Sequence, residues 1–321
     1  MKRILICAAA AIVALASCSK TQVVYNDAPE EIGFKAVTGV MTKAENPLGT
    51  GIRMGVFAET GSGSYFTNAL FTHDSEGVWT GGKYWPVTGE LTFTLYAPYD
   101  GTENTPGSVN YNSNNLTITA DNSNIDSQTD WIYGATQPTG TKSTSGESMG
   151  VNLKHALSKV VVTVDGDSNV KLQKVEILQT AQKATGTVNY TSNNAGAPTW
   201  VNAIDAIDAI IPAITLFDNL EGETLSSTDV EGIKPCLVIP TANLSDQAIR
   251  LTYKLTGGSP LTYTTTVASA DPVVPNQLGT VWAAGTQYTY NITIGAKEIK
   301  FTPTETTWVE APQTIEVTPN N

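Results

Sequence analysis

The sequence predicts an all-β protein built from two β-sandwich domains with few short helices. Three observations lead there. Apolar residues recur at every second position along most of the chain, the spacing that puts one face of a strand on a core. Gly, Asn, Asp and Pro interrupt these runs at short intervals, supplying the dihedral angles that tight turns need. Helical periodicity is almost absent, and many short strands with frequent turns are the pattern of sandwiches.

The stripes appear in order. Ile32, Phe34 and Ala36 share one face. Leu91, Phe93 and Leu95 point one way, with Thr92 and Thr94 opposite. Leu116 and Ile118 repeat the pattern, and Ser158 to Val164 is dense enough in valine for a central strand. Ile249, Leu251, Tyr253 and Leu255 alternate, as do Leu261, Tyr263 and Val267. Tyr288, Tyr290, Ile292 and Ile294 form the clearest stripe, followed by Ile299 with Phe301 and by Ile315 with Val317. Thr88 to Glu90, Asp165 to Ser168 and Gly257 to Pro260 read as turns. The one helical candidate is Ala203 to Ile210, a period-three run stopped by Pro212.

The start of the chain has a different design. Lys2 and Arg3 precede an apolar run from Ile4 to Ala16, and Leu15-Ala-Ser-Cys18 closes it. A secretory signal peptide has this layout, and a cysteine at the cut makes it a bacterial lipobox. Residues 1–17 would be removed and Cys18 would carry a diacylglycerol. An apolar run of 13 residues is too short to cross a hydrocarbon core, which needs ~20. Residues 18–29 are polar, contain Pro29 and suit a tether. The polar, Gly/Ser-rich stretch Thr139 to Ser148 marks the expected boundary. It divides an N-terminal domain, 30–148, from a C-terminal domain, 149–321, with the first strand and its connection in 31–43.

Composition narrows the partners. The chain carries 18 Lys+Arg against 30 Asp+Glu, a formal charge of −12. Loss of Lys2 and Arg3 with residues 1–17 would leave −14. Nucleic acid and anionic lipid surfaces are recognised by basic patches, so neither is an expected partner. Of the three cysteines, Cys7 leaves with the signal and Cys18 takes lipid. Cys236 is then alone, without a disulfide partner, and reads as a small buried hydrophobe.

Catalytic constellations are not evident. The two histidines, His73 and His155, do not provide a metal site with suitable spacing, and His155 reads as structural. No nucleophile elbow, phosphate loop or dinucleotide fingerprint occurs. Asp121 to Asp130 is Asp/Asn-rich, but it lacks the central Gly and terminal Glu of a calcium loop, and reads as a turn-rich polar loop. Trp85 and Trp282 stand at strand starts, where a core or rim anchor is the common role. No cofactor is implied.

Several segments carry a resemblance. They are Glu31 to Ala44, Gly51 to Phe57, Tyr84-Trp-Pro86 with Leu91 to Pro98, Thr129 to Tyr133, Leu153 to Val160 and Gly285 to Tyr290. In this order, from the lipobox to about Trp308, they resemble the fimbrillin-type (type V) pilins and fimbrillin-like lipoproteins of Bacteroides-like bacteria. The resemblance implies a non-enzymatic fimbrial subunit or surface adhesin. It would have two β-sandwich domains and be retained in the outer membrane through lipid on Cys18. It further implies proteolytic removal of the first strand after an Arg or Lys, and insertion of a strand from another subunit into the groove left behind. Lys43 fits the processing position, although some members of the family have Arg there, so a strictly Arg-specific protease would not cut at it; Lys43 also reads as an ordinary loop lysine. Arg53 is the next candidate, at a strand start. Ile32, Phe34 and Ala36 would plug the groove, since an added strand sends alternate side chains into pockets. Ile315 and Val317 would anchor a C-terminal strand, either donated or closing its own domain.

The expected partners are therefore other pilin subunits, the outer membrane and an unidentified surface receptor. Two rivals stand beside this reading: an outer-membrane glycan-binding lipoprotein that never polymerises, and a glycan-degrading enzyme with two carboxylates ~5–10 Å apart.

Overall fold

A computed structural model describes residues 29–36, 53–74, 77–142, 147–178, 180–202, 213–244, 247–264, 281–295 and 299–308. Cys18, Lys43, Val267, the helical candidate 203–210, Ile315 and Val317 lie outside them. The first strands are β1 (Glu31–Ala36), β2 (Arg53–Thr60), β3 (Gly63–His73), β4 (Val78–Tyr84), β5 (Leu91–Ala97), β6 (Gly101–Thr102), β7 (Thr105–Pro106), β8 (Val109–Asn112) and β9 (Asn115–Asp121). A 3-10 turn at Ile125–Ser127 precedes β10 (Ile132–Gly134), β11 (Thr139–Gly140), β12 (Met149–Val151), β13 (Leu153–His155), β14 (Ser158–Gly166) and β15 (Val170–Leu178). Then come β16 (Lys183–Thr191), β17 (Asn194–Ala195), β18 (Thr199–Asn202), β19 (Ile214–Thr224) and β20 (Cys236–Val238). The last strands are β21 (Ala248–Leu255), β22 (Pro260–Thr264), β23 (Thr286–Ile294) and β24 (Ile299–Thr307). The protein is nearly all β, as the alternation requires.

The largest sheet has nine strands in the order β12-β1-β4-β3-β2-β5-β10-β13, with β11 also on β5. Strands lie ~4.8 Å apart in a sheet, so four flat steps would hold β1 and β5 ~19 Å apart. Yet the rings of Phe34 on β1 and Phe93 on β5 are centred 5.1 Å apart. The sheet therefore curls over on itself. Its inner face encloses Ile32, Phe34, Met54, Val56, Phe71, Trp79, Leu91, Phe93 and Leu95 as one core.

The outer face of the same sheet is also covered. Phe57, Tyr96 and Tyr133 pack on a smaller sheet of β8, β9, β16, β17 and β18. This explains Thr94, which the alternation places on a polar face. It is buried, and Gln137 Nε2 donates to its hydroxyl at 2.7 Å.

The remaining strands form a sandwich of β20-β14-β23-β24 on β19-β15-β21-β22. The expected stripes Val160, Val162, Val164 and Tyr288, Tyr290, Ile292, Ile294 all enter its core. So does Ile249 with Leu251, whereas Leu255 and Leu261 are exposed at the margin of the sheet. Trp282 is buried as an anchor, its Nε1 donating to Tyr290 Oη at 2.8 Å. Cys236 joins the same core, and burial pushes its thiol pKa up to about 12.

The division expected at 148/149 does not coincide with a division between sheets. Thr139–Gly140 pairs with Leu91–Thr92, and Met149–Val151 pairs with β1. The polar stretch between them thus has both ends built into the nine-stranded sheet. Further on, β16 returns to pair with β9 over seven positions. Gly/Ser-rich composition marks a solvated connection, and a connection within one sheet has the same composition as a linker between two domains.

Candidate functional site

The residues singled out at the N-terminus converge on one strand. β1 lies between β4, antiparallel, and β12, parallel. Its register sets Phe34 opposite Trp79 on one side and Met149 on the other. Ile32 and Phe34 are fully buried in the inner core, and Ala36 is half-buried against it. The Phe34 ring meets Phe71 at 5.4 Å and 60° and Phe93 at 5.1 Å and 79°, the edge-to-face arrangement that aromatic quadrupoles favour.

The two neighbours hold β1 unequally. On the β4 side the strand is bracketed from its first residue. The Trp85 N–H donates to the Glu30 carbonyl at 2.9 Å, and the Gly82 N–H donates to Glu31 Oε1 at 2.8 Å. Gly82 stands at φ +63°, a left-handed conformation that costs glycine little. A bulge between Glu31 and Gly33 interrupts this ladder. On the other side β12 has only three residues and is the end of the sheet. Residues 147 and 148 lead into β12, and Ser148 reaches the opposite face of β1 at Gly33.

A buried histidine lies against this site. His73 pairs with Trp79 across β3 and β4, their rings 4.3 Å apart. Its ring is buried, and neither nitrogen has a hydrogen-bond partner among the described residues. Burial holds its pKa below the ordinary 6.5, and the nearby Asp74 charge offsets only part of the shift.

Arg53, the second processing candidate, begins β2. Its guanidinium stands 6.0 Å from the Tyr99 ring, and its carbonyl accepts from the Tyr99 N–H at 2.8 Å. Its backbone also pairs with Thr72.

A family model for fimbrillin-like proteins matches residues 40–308. The chain belongs to the fimbrillin-like family. Among curated proteins, no sequence matches it. Solved structures resemble this fimbrillin-like chain over most of its length. One is described as a candidate cell-adhesion protein of Bacteroides uniformis: 19% identical, covering 87% of this chain and 98% of that one, TM-score 0.58. A second, from Bacteroides ovatus, carries the same description at 16% identity, 88% and 99% coverage, TM-score 0.54. A third is a fimbrial protein of Bacteroides vulgatus at 19% identity, 87% and 99% coverage, TM-score 0.50. At these identities the likeness is one of fold.

The other polar residues noted in the fimbrillin-like sequence are engaged structurally. Asp121 pairs with Lys183 at 2.7 Å, and its pKa is lowered to about 2, chiefly by that contact and by Ser123. Asp126 pairs with Lys234. His155 Nδ1 lies 3.0 Å from Asp130 Oδ1. No group of three or more His, Cys, Asp or Glu able to hold a metal occurs among the described residues. No helix among them is long and apolar enough to cross a membrane.

Two contributors escaped sequence reasoning. Trp79 forms the wall opposite Phe34, although Val78-Trp-Thr-Gly-Gly carries no alternation to mark it. Ser148 caps Gly33 from within a stretch whose composition shows only that it is polar.

Proposed function

We propose that this chain is a fimbrial subunit or surface adhesin, exported as a lipoprotein through Cys18 and held in the outer membrane by lipid. Cleavage after Lys43 would detach β1, and a strand from another subunit would take its place. Other subunits bearing an extended segment would be its partners, and a surface receptor its target. The role is structural rather than catalytic, in keeping with the family.

The observation that carries this reading is the asymmetry of β1. Its side chains are integral to a core, yet one flank rests on three residues at the end of a sheet. A vacated slot would leave β4 with an unpaired edge and expose Trp79, Phe71 and Phe93. Such an edge is a template for another strand, and main-chain hydrogen bonds with alternate side chains in pockets would hold it. Head-to-tail insertion is a heterologous contact and can propagate as an open filament. Lys43 is preferred over Arg53 because the Arg53 backbone is already engaged by Tyr99 and Thr72, and a protease needs free extended chain.

The test is a protease titration of the lipid-free precursor, followed by N-terminal sequencing and electron microscopy. A product beginning at Ala44, with filaments, supports the reading. A product beginning at Met54 moves the cut to Arg53. An uncut monomer defeats strand exchange. It would favour the glycan-binding alternative, for which the adjacent Tyr65 and Tyr84, 42% and 45% exposed, are the first residues to examine.

A further inference from the structure

The outer face of the sandwich built on β15 holds two cations without a counter-charge. Val170 and Leu172 are buried in the core, so Lys171 between them faces away from it. β21 sets Lys254 directly opposite Lys171. Side chains so placed stand ~5 Å apart at Cβ, and like charges there are destabilising. Both lysines are half-buried, and neither forms an ion pair among the described residues. Stability of the fold gives no reason for this pair.

Two more cations share the face. Lys174 Nζ lies 2.8 Å from Glu176 Oε1, and Arg250 Nε donates to Glu176 Oε2 at 2.8 Å. Glu176 is buried beneath them, while Lys174 and Arg250 stay 33% and 37% exposed. One carboxylate thus neutralises only one of two positive charges. Asp218, opposite Lys174 on β19, is the other acid of these rows. Glu223 pairs with Leu172 and belongs to the core side, and Glu221 lies in the bulge between them, outside the ladder. On a chain of formal charge −12, Lys171, Lys174, Arg250 and Lys254 therefore outnumber Glu176 and Asp218 on this face.

The surroundings narrow what this charge can meet. Lys254 and Arg250 are four residues apart on β21, ~13 Å along an extended strand. Thr252 stands between them, and Thr262 and Thr264 lie beside them on β22. The cations recur along a line of hydroxyl groups. No aromatic or branched aliphatic side chain lies in these rows. A protein partner needs such anchors at the centre of its interface, and single-stranded nucleic acid stacks its bases on aromatic rings. A nucleic-acid duplex needs many more phosphate contacts. A sugar chain with spaced anionic groups needs only charges and hydrogen-bonding groups.

The geometry points to an acidic polysaccharide as the ligand of this face, a linear glycan whose carboxylate or sulfate groups meet Lys171, Lys254 and the outer sides of Lys174 and Arg250. This inference rests on the surface-adhesin reading above, whose receptor it gives a chemistry, and it does not depend on strand exchange.

The full lipid-free chain is titrated with polygalacturonate, with dextran sulfate and with uncharged dextran. At least one of the two acidic polymers should bind, and dextran should not. Binding should weaken between about 50 mM and about 200 mM salt, as the screening length shortens. The better of the two acidic polymers separates carboxylate from sulfate. Lys171→Gln combined with Lys254→Gln should weaken binding about fivefold or more, the scale of two exposed ion pairs. Lys171→Glu should weaken it at least as far, yet hold or raise the thermal midpoint, because it turns a like-charge pair into an opposite one. A lysine pair with a merely structural role would not show that combination. Absence of binding to both acidic polymers, or equal binding by the parent chain and Lys171→Glu, overturns the inference and leaves strand exchange to its own protease test. A lowered midpoint in Lys171→Glu also counts against it, since the lysines would then not repel each other. Duplex DNA bound more tightly than either polysaccharide overturns the choice of a glycan.

Discussion

The imidazole of His155 lies flat on the indole of Trp308, the ring centres 3.7 Å apart and the planes 9° from parallel. Asp130 holds the other edge of the imidazole at 3.0 Å. The Trp308 N–H donates to the Gly285 carbonyl at 3.0 Å, and Lys159 Nζ stands 5.7 Å from the indole. This clasp roots Trp308 just beyond the end of β24. A histidine that the sequence marked only as structural turns out to join β13 to the residue just beyond β24.

Replacing the imidazole should loosen that root. His155→Ala is expected to cost about 1–3 kcal/mol, from the lost stack and an orphaned Asp130 carboxylate. His155→Phe keeps a stacking ring and should recover part of the loss. Urea unfolding gives the stability, and hydrogen exchange at the Trp308 amide gives the local effect. Unchanged protection at that amide in His155→Ala would show that the stack does not hold Trp308 in place.

Gln128 ties the loop before β10 to the C-terminal sandwich. Its Oε1 accepts from the Leu237 N–H at 2.7 Å, and its Nε2 donates to the Leu237 carbonyl at 3.2 Å and to the Asn122 carbonyl at 3.1 Å. The side chain is buried, so its partners would have no ready replacement. Gln128→Leu should destabilise by about 1–3 kcal/mol, the penalty for leaving buried backbone groups unpaired. Equilibrium denaturation checks the size.

His73 makes the inner core sensitive to acid. Above pH 6.5, its ordinary value, the imidazole is neutral in both folded and unfolded chains and stability is complete. Below it the unfolded chain takes up the proton first, because burial has lowered the folded pKa. Stability should therefore fall as the pH drops from 6.5 towards that lower value. His73→Phe should remove this component of the pH dependence, and thermal melts between about pH 7.5 and about pH 5, which bracket the ordinary histidine value, decide it. Since the Trp79 ring lies tilted against His73, 4.3 Å away, and walls the Phe34 pocket, exchange of β1 should quicken over the same interval.

Strand-forming stripes were readable wherever a single face met a core. Ile32 with Phe34, and Tyr288 through Ile294, entered cores as their period demanded. Period-two reasoning fails when both faces are covered, as at Leu91–Ala97, where Thr94 is buried through Gln137. It also says nothing about partners distant in the chain. Pairing between β9 and β16 joins segments more than sixty residues apart, and no local pattern at either strand encodes the other.

The candidate site divides in the same way. Which side chains of β1 point inward follows from alternation alone, because successive residues of a strand must face opposite ways. What they point into does not. The edges of Phe71 and Phe93, the Trp79 wall and the Ser148 cap come from four separate stretches of chain.

By itself, the amino-acid order determined the all-β class, the family and the inward face of the first strand. These are properties of short range, set by composition and by the two-residue repeat of extended backbone. Only the tertiary structure decided that a nine-stranded sheet curls over on itself, that the strands on either side of the polar stretch after Gly140 join that one sheet, and that the first strand sits in an aromatic slot with a short flank. Those outcomes depend on how strands from remote parts of the chain exclude water together, and that free energy belongs to the assembled core rather than to any one segment.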